Sequence, residues 1–161
     1  MSTKLFLLFL CVAVGTLCGY IVMMSYKKNL SYLDGVCGMI GALKQNLIYK
    51  KDSVPLVLGS LPVSSSQLKK NIEEYIDFTA GKSDKRIVSR GFLSKLTFNE
   101  VSELFFALGG SDEGTQTAQL DGFTVKFDNM RTEAERKYKK YGSVAVKLGF
   151  LLGLGVGILV L

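Results

Sequence analysis

The 161-residue sequence contains no histidine and no tryptophan, two prolines and three cysteines. Without histidine the commonest general base is missing, and no Cys/His zinc site can be assembled. Cys11 and Cys18 lie in one long apolar run and Cys37 stands alone, so a disulfide framework is excluded as well. No catalytic residue, cofactor-binding residue or metal ligand is expected. Gly81, Lys82 and Ser83 look like the end of a phosphate-binding loop. The glycine required five residues earlier is Ile76, however, and a helix precedes the site where a strand is needed. Asp112 and Glu113 are adjacent, so on a helix they point about 100° apart; complementing the dipole of a first turn is their simpler role.

Charge is spread thinly. All 14 acidic residues and all but two of the 20 basic ones fall between residues 25 and 140, giving that stretch a net charge of +4. A mild, dispersed excess argues against nucleic acid as the partner, because phosphate binders concentrate basic residues on one face.

What the sequence has in abundance is apolar length. Leu5 to Met24 is twenty residues without a charge, flanked by Lys4 and by Lys27 with Lys28. Tyr141 to Leu161 is 21 residues interrupted by Lys147 alone. Each is long enough to cross a hydrocarbon core of about 30 Å as a helix. The first lacks the short core and small-residue cleavage site of a secretory signal. Lys27, Lys28, Arg136, Lys137, Lys139 and Lys140 crowd the inner flanks, which places the middle of the chain in the cytoplasm and both termini outside. Lys147 can snorkel back to the headgroups. Three parts are expected: a membrane helix at 1–25, a cytoplasmic all-α domain at 26–140 and a second membrane helix at 141–161.

Within the middle, Leu30, Leu33, Val36, Ile40, Leu43 and Leu47 recur at helical spacing and extend the first membrane helix to about Lys50. Gly35, Gly38 and Gly41 on that helix suggest close packing against another backbone, with a hinge as the alternative. Asp52 to Ser66 holds both prolines and three serines, a break with a short helical piece from Pro55 to Leu61. A serine among Ser64–Ser66 should cap a helix through Leu68, Ile72, Tyr75 and Ile76, stopped by Gly81. Ile87, Val88, Phe92 and Leu93 suggest a shorter helix over 83–95. Thr97 and Glu100 have capping-box spacing before Val101, Leu104, Phe105 and Leu108. From Ser111 a final helix carries Leu120, Phe123, Phe127, Met130, Ala134 and Tyr138 on one face and, with no proline in it, runs unbroken into the membrane. The expected fold is an all-α cytoplasmic bundle of about six helices carried on two membrane helices.

Small residues mark the membrane segments: Gly15 and Gly19 in the first, and Gly149, Gly153 and Gly157 in the second. This spacing lets helices approach closely, either within one chain or between copies in a homo-oligomer.

The run Leu108, Gly109, Gly110, Ser111, Asp112, followed by Gln116, sits where a short helix gives way to the long one. Together with the glycine-bearing N-terminal helix, the Val54-Pro55-Leu56 break and the tail bearing Tyr141, Gly142, Leu148 and Gly149, it resembles the stage III sporulation protein AB family. The resemblance implies a non-catalytic component of the complex joining mother cell and forespore, in the mother-cell membrane around the forespore. It further implies a soluble domain similar to the inner-membrane platform proteins of type II secretion and type IV pilus machines. The implied partners are membrane lipid, a cytoplasmic ATPase (sporulation protein AA) and other membrane components of the complex. Leu108, Gly109, Ser111, Asp112 and Gln116 would be the family signature, with Ser111 and Asp112 capping the long helix or contacting a partner. A generic membrane-anchored adaptor, or a subunit of a membrane enzyme or transporter, is the alternative; for the latter only Thr16 and Lys147 offer polar groups in the apolar segments.

Overall fold

A computed structural model describes residues 2–49, 52–108 and 113–160, with side chains for 5–49, 52–108 and 115–159. The described residues form six α-helices and one π-helical turn, with no strand. In chain order these are α1 (Ser2–Tyr49), α2 (Val54–Ser60), α3 (Ser66–Thr79), α4 (Lys95–Ala107), α5 (Glu113–Lys137), the π turn (Tyr138–Gly142) and α6 (Ser143–Val160). The chain divides into two compact units, one of residues 1–30 with 132–161 and one of residues 31–131. These boundaries lie inside the 25/26 and 140/141 limits expected from hydropathy.

The 31–131 unit is a helical bundle whose core follows the helical periods. From α1 come Tyr32, Leu33, Val36, Met39, Ile40 and Leu43, from α3 Leu68, Ile72 and Tyr75, from α4 Val101, Leu104 and Phe105, and from α5 Leu120 and Phe127, all buried. Each such side chain contributes about 1.5–3 kcal/mol on burial. Helix ends obey local chemistry. Ser65 caps α3 by accepting the Leu68 N–H, and Pro55 sits in the first turn of α2. Gly81, at φ +74°, ends α3: the Gly81 and Lys82 N–H groups donate to the carbonyls of Phe78 and Asp77, a Schellman stop.

Four expectations need correction here. Residues 83–94 are not helical. They form a strap held by side chains of α3: the Glu74 carboxylate accepts from the N–H groups of Val88 (2.8 Å) and Ser89 (3.0 Å), while Gln67 and Asn71 donate to the Ser89 carbonyl. Arg86 pins the strap to the end of α4 by donating to the Phe105 and Phe106 carbonyls, with its guanidinium 4.2 Å from the Phe106 ring centroid. The second correction concerns α4, which starts earlier than the capping-box spacing implied: Ser94 is its cap, and it accepts from the Thr97 N–H at 3.1 Å. Third, of the three α1 glycines only Gly35 is closely packed, since a Cβ there would lie 2.7 Å from Leu68 Cδ2, whereas Gly38 and Gly41 face open space. Fourth, the last helix is interrupted by the π turn, which needs no proline to form.

The other unit is an antiparallel pair of apolar arms, the beginning of α1 against α6. Both helices are long and apolar enough to cross a membrane. Their outer faces are exposed and greasy, as at Phe6, Phe9, Ile21, Leu152 and Ile158. The inner faces meet through glycine. A Cβ on Gly153 would stand 2.7 Å from the Cys11 carbonyl oxygen and 2.9 Å from the Val12 Cα, and one on Gly157 would lie 3.3 Å from Leu8. Gly15 faces Gly149 and Gly153, and Gly19 faces Ala145 and Val146, backbone to backbone. Thr16 donates its hydroxyl to the Val12 carbonyl of its own helix at 2.7 Å.

Candidate partner-docking site

The 31–131 unit carries a groove of about 420 Å³ where the end of α1 turns into α2. Ala42, Gln45, Asn46 and Tyr49 form one wall; Asp52, Leu56, Val57, Ser60 and Leu61 form the other. Pro55, in the first turn of α2, favours the start of the helix that forms the second wall. Asn46, buried, accepts the Asp52 N–H at 2.8 Å. At the rim the apolar side chains stand in solvent: Tyr49 is 81% exposed and Leu56 64%. Exposed apolar groups gathered around a groove make it a candidate contact surface.

A smaller space of about 10 Å³, lined by Leu43, Asn46, Leu47, Asp52, Val54, Val57 and Gln116, shares three of these residues with the groove. Gln116, on the first turns of α5, is 7% exposed, and its side-chain nitrogen has no hydrogen-bond partner among the described residues. Leu108 is 2% exposed, and its carbonyl accepts the Tyr75 hydroxyl at 3.2 Å. Burial pushes that phenol above the usual tyrosine range.

A family model for stage III sporulation protein AB matches residues 4–161. The chain belongs to the stage III sporulation protein AB family. No curated protein and no solved structure matches it. Of the signature carried by this stage III sporulation protein AB chain, Gly109, Ser111 and Asp112 lie outside the described residues. Leu108 and Gln116 are both buried: the Leu108 carbonyl ties the Tyr75 hydroxyl of α3 to the end of α4, and Gln116 lines the small space that shares Asn46, Asp52 and Val57 with the groove. The structure brings Gly15, Gly19, Gly149, Gly153 and Gly157 together along one seam.

Tyr49 and Leu56 did not emerge from the sequence, where both read as ordinary members of a helix end and a break. The available signal was an aromatic residue immediately before a lysine pair and a proline turn.

Proposed function

We propose that the protein is a non-catalytic scaffold of the sporulation machinery, with its two apolar arms spanning the membrane and its 31–131 unit in the cytoplasm, where it couples an ATPase to the transenvelope assembly. Membership of a sporulation family supports the setting, and the basic residues on the inner flanks of the arms support the orientation. The observation that carries the coupling is the α1–α2 groove, whose rim keeps Tyr49 and Leu56 in water at a substantial hydrophobic cost. The occupant is the cytoplasmic ATPase of the same complex, sporulation protein AA. Co-purification of the detergent-solubilised full chain with that ATPase tests this. Tyr49→Ala and Leu56→Ala should each weaken binding about tenfold, as interface anchors do. Absence of binding at tens of micromolar sinks the coupling, and undiminished binding by both variants moves the contact away from the groove.

A further inference from the structure

The polar end of the two apolar arms has a charge arrangement that the scaffold reading does not use. Residues 26–28 and 132–142 carry six basic side chains, Lys27, Lys28, Arg136, Lys137, Lys139 and Lys140, against two acidic ones, Glu133 and Glu135. The acids are already taken. Lys137 Nζ lies 2.7 Å from Glu133 and Lys139 Nζ 2.6 Å from Glu135, each one helical turn away. Among the described residues Lys27, Lys28, Arg136 and Lys140 have no carboxylate within salt-bridge distance, although Arg136, after Lys137, helps hold the Glu133 carboxyl below its usual range, and all four are exposed. The same level carries an aromatic pair joining the arms: the Tyr26 and Tyr141 rings stack at 6.3 Å between centroids, with planes 28° apart. The Lys140 ammonium sits 5.2 Å from the centre of the Tyr141 ring.

Tyrosines at the end of an apolar span sit at headgroup depth, which puts the four unpaired cations against the phosphates. We propose that this collar binds the headgroups of anionic phospholipids, with Lys27, Lys28, Arg136 and Lys140 as the ligating side chains and the Glu133–Lys137 and Glu135–Lys139 pairs as electrically silent. The proposal rests on the reading of the arms as membrane spans. It separates the basic residues into two classes that sequence alone treats alike.

The test uses the full chain reconstituted into phosphatidylcholine vesicles, with spin-labelled phosphatidylglycerol or phosphatidylcholine as the probe of the lipid in contact with protein. The expected result is a preference for phosphatidylglycerol of about threefold or more at low salt, lost when salt screens the collar. Substituting Lys27→Gln, Lys28→Gln, Arg136→Gln and Lys140→Gln together should bring the preference to near unity. Removing a silent pair, Glu133→Gln with Lys137→Gln, should leave it in place. Alkaline carbonate extraction of the same vesicles reports on the spans themselves. A chain that resists extraction yet shows no preference, or a quadruple variant that keeps it, overturns the collar alone. Release by carbonate overturns the membrane reading and the collar with it.

Discussion

Asn71 joins three elements of the 31–131 unit through two hydrogen bonds. Its Oδ1 accepts the Tyr32 hydroxyl at 3.1 Å, and its Nδ2 donates to the Ser89 carbonyl at 2.8 Å. Both Asn71 and Tyr32 are 0% exposed, and burial alone raises the Tyr32 phenol far above its usual range, so the hydroxyl stays protonated and needs an acceptor. Asn71→Ala orphans that hydroxyl, at about 1–3 kcal/mol. The Ser89 carbonyl keeps the Gln67 donor at 2.7 Å, so losing its second bond costs only about 0.5–1.5 kcal/mol. The sum, about 1.5–4.5 kcal/mol, should lower the melting midpoint by about 6–18 °C, at about 4 °C per kcal/mol for a unit of this size. Tyr32→Phe supplies the sharper arm of the experiment. In the native background it strips Asn71 of a donor and should destabilise by about 1 kcal/mol. In the Asn71→Ala background it removes an orphan and should stabilise instead. Thermal unfolding of the full chain in mild detergent, followed by circular dichroism, measures all four corners of the cycle. If Tyr32→Phe destabilises equally in both backgrounds, the buried bond is not the source of the coupling and the reasoning fails.

Two further expectations use internal controls. Gly153→Ile drives a side chain into the Cys11 carbonyl and should destabilise the paired arms by about 1–3 kcal/mol, whereas Gly155→Ile, which meets nothing within 4 Å, should be close to neutral; equal losses of thermal resistance in detergent would place the packing seam elsewhere. Glu74 is partly desolvated, which raises its pKa, but the hydrogen bonds from Ser89 and Val88 outweigh this and hold it below the usual carboxylate range. Its contribution to stability is therefore complete above the unfolded Glu value of about 4.3 and is lost as pH falls through the lower folded value. Glu74→Gln should be less stable than the native chain at neutral pH and flatter below about pH 4.3 in urea unfolding, and parallel acid limbs would remove Glu74 from the account.

The parts legible in the sequence are those decided by neighbours along the chain. Ser65 and Gly81 close α3 through bonds within a few residues, and the buried positions Leu33, Val36, Ile40 and Leu43 repeat with the helical period. The strap was illegible for the opposite reason. Ile87, Val88, Phe92 and Leu93 have the composition of a helix face, but the groups that satisfy the strap backbone come from Gln67, Asn71 and Glu74, some 14 to 22 positions away. Tertiary hydrogen bonds overrode a weak local preference. The π turn at Tyr138–Gly142 likewise has no breaker to announce it. Of the candidate site, the order of elements could be read and the exposure of Tyr49 and Leu56 could not, because exposure depends on how α2 leaves α1.

The glycine seam restricts how the gene can change. Gly149, Gly153 and Gly157 are four residues apart and lie along the same stripe of α6. One codon inserted between the first two would rotate everything beyond it by about 100° and present leucine or valine to a surface cut for bare backbone. Indels should therefore be purged from these arms while point changes on their exposed outer sides drift freely. Homologous chains should keep this internal spacing fixed even where their strap regions differ in length.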